Sequence, residues 1–191
     1  SDASAGQNRT AQLHQMAVNW QENQATYKVR ATGQPWAGNK GPQPGSDYTT
    51  TPAASAQSGQ SGVWITWDVS GLVQSWLNNP ASNFGVILLD PNGYSVGANR
   101  SYASSENGTV AWRPKLTITL GEPSTATPTH SPTATVMPSP TPTATATPSP
   151  TATQPGPQRV ILQQGVNGYG GMADVKFYNW DANTNYGNHE S

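Results

Sequence analysis

A long run of threonine and proline divides this chain and limits what the rest of it can fold into. Between Pro123 and Pro157 there are 35 residues, of which 10 are proline, 11 threonine, 5 alanine and 4 serine. Each proline fixes φ and removes an amide donor, so the run can form neither a helix nor an interior strand. Such sequences favour extended polyproline II, which at about 3.1 Å per residue would reach on the order of 100 Å. We therefore predict a linker or stalk at residues 122–157, between segments 1–121 and 158–191.

The composition of the chain indicates a secreted, β-rich protein. Charged residues make up 10% of the sequence and the net charge is −1, against about 25% charged residues in an average domain. This balance gives no reason to expect nucleic acid as a partner. There is no cysteine, which excludes disulfides, zinc–thiolate sites and cysteine nucleophiles. The sequence has no run of about 18 apolar residues and so predicts no membrane span. From the composition we expect an extracellular or cell-surface location.

Before the linker, hydrophobic periodicity predicts strands and one short helix. Residues 63–69 (VWITWDV) alternate in polarity, as a strand with one buried face does. Residues 70–79 change to a helical period, with Asp68 or Ser70 placed to cap the helix. The apolar stripe of that helix consists of Leu72, Val73, Trp76 and Leu77. Further strands are predicted at 12–18, 85–89 and 115–120, and the longest loop at 33–62. Short strands separated by turn residues are typical of a β-sandwich or jelly roll.

After the linker, the sequence predicts the opening strands of a second sandwich. A strand begins at 159–162, a glycine-rich turn follows at 165–171, and a second strand is predicted at 174–178. Two strands and a turn cannot bury a face by themselves, so we expect them to pair with strands from elsewhere. The candidates for pairing between subunits are Arg159, Val160, Ile161, Leu162, Val175 and Phe177.

Three runs resemble a known domain family. WITWDVSGLVQSWLNNPASNFGVILL, then SSENG, then WRPKLTITL resemble the C-terminal half of the DNRLRE (disaggregatase-related) domain. The matching positions are Trp67, Asp68, Val69, Leu72, Val73, Trp76, Asn83, Gly85, Ser105, Glu106, Arg113, Pro114 and Leu116. Phe84 and Leu120 stand where the family usually has tyrosine. The tail GVNGYGGMADVKFYNWDANTNYGN resembles the opening of the same kind of domain, through Asp174, Asn185, Tyr186 and Gly187.

The resemblance implies a fold and an arrangement of domains. Members of the family are jelly-roll β-sandwiches on secreted, often polysaccharide-associated proteins of bacteria and archaea. Residues 1–121 would then be the C-terminal part of one domain, and 158–191 the N-terminal strands of the next. Either the chain is a window from a tandem array, or a neighbour completes its exposed strands by β-addition. Both alternatives predict that residues 158–191 lack enough partners within their own chain.

The polar residues do not form a recognisable catalytic motif. No nucleophile motif accompanies the histidines, which are His14, His130 and His189. A glycosidase needs two carboxylates facing each other across a sugar, and a pair such as Asp47 and Glu106 remains open. Asp68 fits better as a helix cap, and Glu106 as a partner of Arg113. We predict no enzyme activity and no cofactor, and we leave open a structural Ca²⁺ ion held by oxygen ligands.

Tryptophan is the residue type in excess, with seven in a chain that has two phenylalanines. Trp67 and Trp76 are predicted core residues. Other aromatic rings can stack on the C–H faces of sugars or can anchor long loops by packing. The candidates for stacking on a glycan are Trp36, Trp64, Trp112, Trp180 and Tyr48.

Two functions therefore remain open from the sequence. One is a non-catalytic structural or adhesive repeat that assembles with copies of itself, or with neighbouring tandem domains, into a surface fibre. The other is a carbohydrate-binding module of a secreted protein that acts on extracellular polysaccharide. The linker composition also suits O-glycosylation, and the candidate threonines are Thr133, Thr135, Thr143 and Thr145.

Overall fold

The structure is a computed structural model that describes residues 9–38, 40–58, 62–91, 101–121, 157–175 and 183. Its strands are β1 Arg9–Gln15, β2 Val29–Ala31, β3 Gln34–Pro35, β4 Ala54–Ser58, β5 Val86–Leu89, β6 Lys115–Thr119 and β7 Arg159–Gln163. Helix α1 is Ser70–Asn78, and two 3₁₀ turns lie at Pro80–Ser82 and Val110–Trp112. In the described part, the chain is thus mostly short strands with one α-helix, which confirms the all-β class. Apart from Pro157, the predicted linker lies outside these ranges.

Strand β1 is the centre of a three-stranded antiparallel sheet in the order β4–β1–β5. Leu13 of β1 faces Ala54 of β4 on one side and Leu88 of β5 on the other. The strand predicted at 12–18 is confirmed, but β1 begins at Arg9 and ends at Gln15, three residues earlier at each end. Directly after it, Met16 is buried as a core residue.

Strand β4 contradicts the loop expected over residues 33–62. Its sequence is ASAQS, and Ala54 and Ala56 are the half-buried positions between exposed polar ones. The inward positions Ala54 and Ala56 carry too little apolar area to stand out as a strand in the sequence. Pairing with β1 satisfies the backbone groups along one edge of β4, so the neighbour rather than the local pattern determines this strand.

Residues 63–69 keep the predicted alternation without forming a strand. Ile65, Trp67 and Val69 are half-buried, and the residues between them are exposed. The indole N–H of Trp67 donates to the carbonyl of Ala11 at 3.0 Å and so fastens this segment to β1. The predicted strand is wrong, and the predicted inward face is confirmed for Ile65, Trp67 and Val69 but not for Val63, which is 56% exposed.

Helix α1 lies where its apolar stripe predicted it. Leu72 is buried and Trp76 is half-buried, but Leu77 is 65% exposed, so the stripe is narrower than expected. A carboxylate oxygen of Asp68 accepts from the backbone N–H of Ser70 at 2.9 Å, which satisfies one of the free amides at the helix start. In the described residues, every helical segment is too short and too polar to cross a bilayer.

The chain divides into two compact units, which are described separately. The first comprises Ser1–Pro114 with Gln163–Ser191, and the second comprises Lys115–Leu162. In the second unit, β6 and β7 are hydrogen-bonded neighbours in a two-stranded sheet, and the amide of Leu120 donates to the carbonyl of Gln158 at 2.8 Å. The described core of the first unit consists of Met16, Ala25 and Trp36, with Val18, Trp20, Tyr48, Phe84, Ile87 and Val175 packed against it.

Candidate functional site

Residues 163–175, which follow the Thr/Pro linker, pack within the first unit against residues that precede the linker, and we call them the docking segment. The segment begins at Gln163, which is 8% exposed. The side-chain amide of Gln163 donates to the carbonyls of Val110 at 3.0 Å and Arg113 at 2.8 Å. A glutamine amide has two N–H donors, so both can bond to main-chain carbonyls at the 3₁₀ turn.

Arg113 provides the second contact with the docking segment. Its guanidinium donates from Nε to the carbonyl of Asn107 at 2.8 Å and from Nη1 to the carbonyl of Gln164 at 3.3 Å. Gly165 has φ of +79°, and a Cβ added there would lie 2.9 Å from Nη1 of Arg113. Glycine suits both the backbone angle and the close approach. The predicted ion pair between Arg113 and Glu106 does not form.

The other end of the docking segment is fixed by Asp174 and Val175. The backbone N–H of Asp174 donates to Oε1 of Glu22 at 2.7 Å, and its Oδ1 accepts from the backbone N–H of Ser105 at 2.9 Å. Val175 packs against the core cluster around Trp36. The segment is therefore held at both ends, by hydrogen bonds at Gln163 and by hydrogen bonds plus apolar burial at residues 174–175.

Three acidic side chains meet where Asp174 docks. One oxygen from each of Glu22, Glu106 and Asp174 lies within 4.8 Å of the others, and we call these residues the carboxylate cluster. The hydroxyl of Ser105 contacts both Glu106 and Asp174, but its single proton can serve only one of them at a time. Oε2 of Glu106 is buried without a hydrogen-bond partner. The charges of Glu106 and Asp174 oppose the ionisation of Glu22.

The electrostatic effect of the cluster appears at Glu22. Burial raises the pKa of Glu22 above its usual value of 4.5, the hydrogen bond from the Asp174 amide opposes that rise, and the charges of Glu106 and Asp174 add to it. A pKa that is higher in the folded state means that protonation of Glu22 favours folding. That contribution is fully present below the ordinary pKa and is lost as the pH rises through the raised one.

We expect the substitution Glu22→Gln to remove this pH dependence, because glutamine keeps the oxygen that accepts from Asp174 and loses the charge. Thermal unfolding followed by circular dichroism should give a Tm difference, variant minus wild type, that becomes more positive as the pH rises from 4.5. Asp68→Asn is the matched control, because hydrogen bonds from Ser70 lower the pKa of Asp68. Its ordinary pKa is 3.8, so Asp68 is largely ionised in both the folded and the unfolded state from pH 4.5 upward, and its Tm difference should stay constant over that range. A constant Tm difference for Glu22→Gln would contradict the geometry of the cluster.

Carboxylate oxygens are the ligands that Ca²⁺ prefers in proteins. Exposed acidic groups also lie together commonly without an ion, and the carboxylate cluster does not by itself establish a cation site. The structural Ca²⁺ left open by the sequence stays a prediction.

Comparisons with known proteins do not identify the chain. No family model, no curated protein and no solved structure matches it. The resemblance to the DNRLRE family therefore stays a prediction. Three residues on which it rests, Ser105, Glu106 and Asp174, come together at the docking segment.

The candidates for stacking on a glycan differ in their exposure. Trp36 is 2% exposed and donates its indole N–H to the carbonyl of Thr26 at 2.9 Å, so it has no free face for a sugar and that prediction is wrong. Tyr48 is half-buried, with its ring 5.3 Å from that of His14 in an edge-on contact. Trp64 and Trp112 are 52% and 64% exposed. Trp180 lies outside the described residues.

The predicted pairing residues lie in two different settings. Arg159, Val160, Ile161 and Leu162 belong to β7, which pairs with β6 of the same chain. Val160 and Ile161 remain 39% and 38% exposed. Val175 is a core contact and is not part of a strand. Phe177 and the four candidate threonines of the linker lie outside the described residues.

Asp47 and His14 are among the polar residues that the sequence analysis weighs for catalysis. Both make structural contacts. Asp47 is 2% exposed, and its Oδ2 accepts from the amides of Ala37 at 2.9 Å and Gln43 at 2.8 Å. His14 is buried with Nδ1 at 2.7 Å from the carbonyl of Thr49. Asp47 thus organises a loop, and His14 joins β1 to the chain near Thr49.

Sequence reasoning missed two of the residues that hold the docking segment, Gln163 and Glu22. Gln163 and Glu22 are single polar residues with no motif around them. Their importance comes from partners far away in the chain, since Glu22 and Asp174 are 152 positions apart. The local signals were the glycine-rich turn at 165–171 and the runs SSENG, WRPKLTITL and GVNGYGGMADVK, which contain Ser105, Arg113 and Asp174.

Proposed function

We propose that this protein is a non-catalytic, extracellular structural or adhesive repeat with jelly-roll sandwich domains, which assembles with copies of itself or with neighbouring tandem domains by strand pairing. The observation that carries the proposal is that β6 and β7, from opposite sides of the Thr/Pro linker, pair with each other. An assembly by strand pairing needs two strands that pair although a linker separates them in the sequence, and β6 and β7 are such strands. A surface stalk also accounts for the threonine and proline composition.

The β6–β7 sheet supports assembly through its energetics. A sheet of two strands is marginal in water unless a further surface covers it. Apolar side chains on it and at its end remain accessible, with Val160 39%, Ile161 38% and Leu120 45% exposed. Pairing with the same strands of a second copy would cover such residues and satisfy edge amides at once.

The contacts of the polar residues support a non-catalytic role. The carboxylates of a glycosidase face each other across the sugar they cleave. Within the carboxylate cluster, the hydroxyl of Ser105 contacts both Glu106 and Asp174. The oxygens of Glu106 and Asp174 thus share a contact with one serine hydroxyl, which supports a structural role for both carboxylates.

Sedimentation velocity of the full chain over a series of concentrations tests the assembly. We expect the weight-average mass of the wild type to rise with concentration, and Ile161→Lys to remain monomeric, because a charge on β7 opposes pairing between strands. Leu77→Lys is the matched control, since Leu77 is also an exposed apolar residue but lies on α1. A wild type that stays monomeric at every concentration would end the proposal.

A carbohydrate-binding module is the second candidate, and the exposure of Trp64 and Trp112 favours it. Exposed aromatic faces can stack on sugar rings. Affinity electrophoresis in gels that contain different polysaccharides measures this directly. Retention that is lost in both Trp64→Ala and Trp112→Ala would support this function, and migration of the wild type without retention in every gel would remove it.

A further inference from the structure

We propose that the docking segment is exchangeable, so that residues 163–175 of one chain bind the first unit of a second copy through the same contacts that they make in their own chain. The inference rests on the proposed function and deepens it, because it names the partner and the surface. The partner is a second copy of this chain. The surface is formed by the 3₁₀ turn at Val110–Trp112, Arg113, Ser105 and Glu22.

The contacts of the docking segment do not depend on the linker. At one end, the amide of Gln163 bonds to the carbonyls of Val110 and Arg113. At the other end, Asp174 bonds to Glu22 and Ser105 through one donor and one acceptor. Each contact joins the segment to residues before the linker, and a segment from another chain can make all of them equally well. Exchange of an identical element between copies is the general route of domain swapping.

The segment is also attached weakly enough to exchange. Among the described residues, Val175 is the one member of the segment that packs against the core cluster. The rest of the described segment, after Gln163, has turns and irregular backbone. Segments with few buried apolar contacts open at a lower free energy than the strands and helices of a core.

The linker favours docking between chains. Pairing within one chain brings the two ends of the linker together, because the amide of Leu120 lies 2.8 Å from the carbonyl of Gln158. The sequence between them favours polyproline II, whose ends would be on the order of 100 Å apart. With the polyproline II preference predicted from its sequence, the linker would have to bend back to close this loop, which lowers the effective concentration of the segment at its own docking site. A second copy can receive the segment without closing that loop.

The test uses the absence of cysteine from the sequence. One chain carries Ala111→Cys, next to Val110, whose carbonyl accepts from Gln163. A second chain carries Val166→Cys in the turn of the docking segment. The two are mixed and treated with a short bifunctional maleimide, and products are identified by mass. Because each chain has one thiol, every cross-link joins two molecules. We expect the mixed dimer in about tenfold excess over each homodimer, since a specific site exceeds random collision.

Two controls make the outcome decisive. A chain with both cysteines should cross-link internally, which verifies that the two positions meet. Replacing residues 123–156 by a glycine–serine sequence of equal length should raise the internal product and lower the mixed dimer, because a flexible linker closes more easily. Internal cross-linking with no excess of mixed dimer overturns the inference. If sedimentation shows assembly in that case, strand pairing at β7 stands without exchange. If there is neither an excess of mixed dimer nor assembly in sedimentation, both the exchange and the proposed function are contradicted.

Discussion

Replacing Trp36 by alanine is expected to lower the free energy of unfolding by about 3–5 kcal/mol, the usual cost of deleting a buried tryptophan ring. Trp36 is 2% exposed and lies in the core cluster with Met16 and Ala25. Its indole N–H donates to the carbonyl of Thr26 at 2.9 Å, and that acceptor would lose its partner. The cavity would also open the surface against which Val175 packs.

Urea unfolding followed by far-ultraviolet circular dichroism measures this effect. Trp112→Ala is the matched control, because Trp112 is 64% exposed and truncation there should change the stability by less than about 0.5 kcal/mol. Equal and small changes in both variants would mean that Trp36 is not a core residue. They would also restore it as a candidate for stacking on a glycan.

Replacing Gln163 by alanine is expected to destabilise docking of residues 163–175 by about 1–3 kcal/mol, because two carbonyls lose their donor in a buried place. The acceptors are the carbonyls of Val110 and Arg113, and Gln163 itself is 8% exposed. The loss should appear as local opening of the docking segment, while the β4–β1–β5 sheet keeps its stability.

Native-state hydrogen exchange separates these two regions. Gln158→Ala is the matched control, since Gln158 is an exposed glutamine a few residues earlier. In the Gln158→Ala variant, the backbone amides of the docking segment should exchange at the wild-type rates. If Gln163→Ala also leaves exchange in the docking segment unchanged, then the two hydrogen bonds do not hold the segment.

The elements that sequence predicted well are those with a strong local pattern. Helix α1 and strand β5 carry apolar residues at the spacing that each structure requires, and tertiary contacts only refine their ends. The alternation at residues 63–69 predicted the inward positions from Ile65 onward, while Val63 is exposed. Strand formation there failed because it needs a neighbouring strand, which the pattern of one segment cannot supply.

The elements that sequence missed depend on distant partners. Strand β4 places the small residues Ala54 and Ala56 inward and exists because β1 lies beside it. Trp36 lies in a long loop, where the alternative interpretation of tryptophan as a packing anchor is the correct one. The site at the docking segment joins Glu22 to Asp174 across most of the chain, and hydrophobic periodicity carries no information about such a pair.

Docking of residues 163–175 on the first unit is the feature on which the proposals depend, and amide exchange in the wild-type chain tests it most directly. The decisive amides are those of Asp174, which donates to Glu22, and of Ser105, which donates to Asp174. We predict that both exchange far more slowly than in a free peptide and lose protection together in Gln163→Ala. Exchange of both amides at the rate of a free peptide would contradict the docked segment.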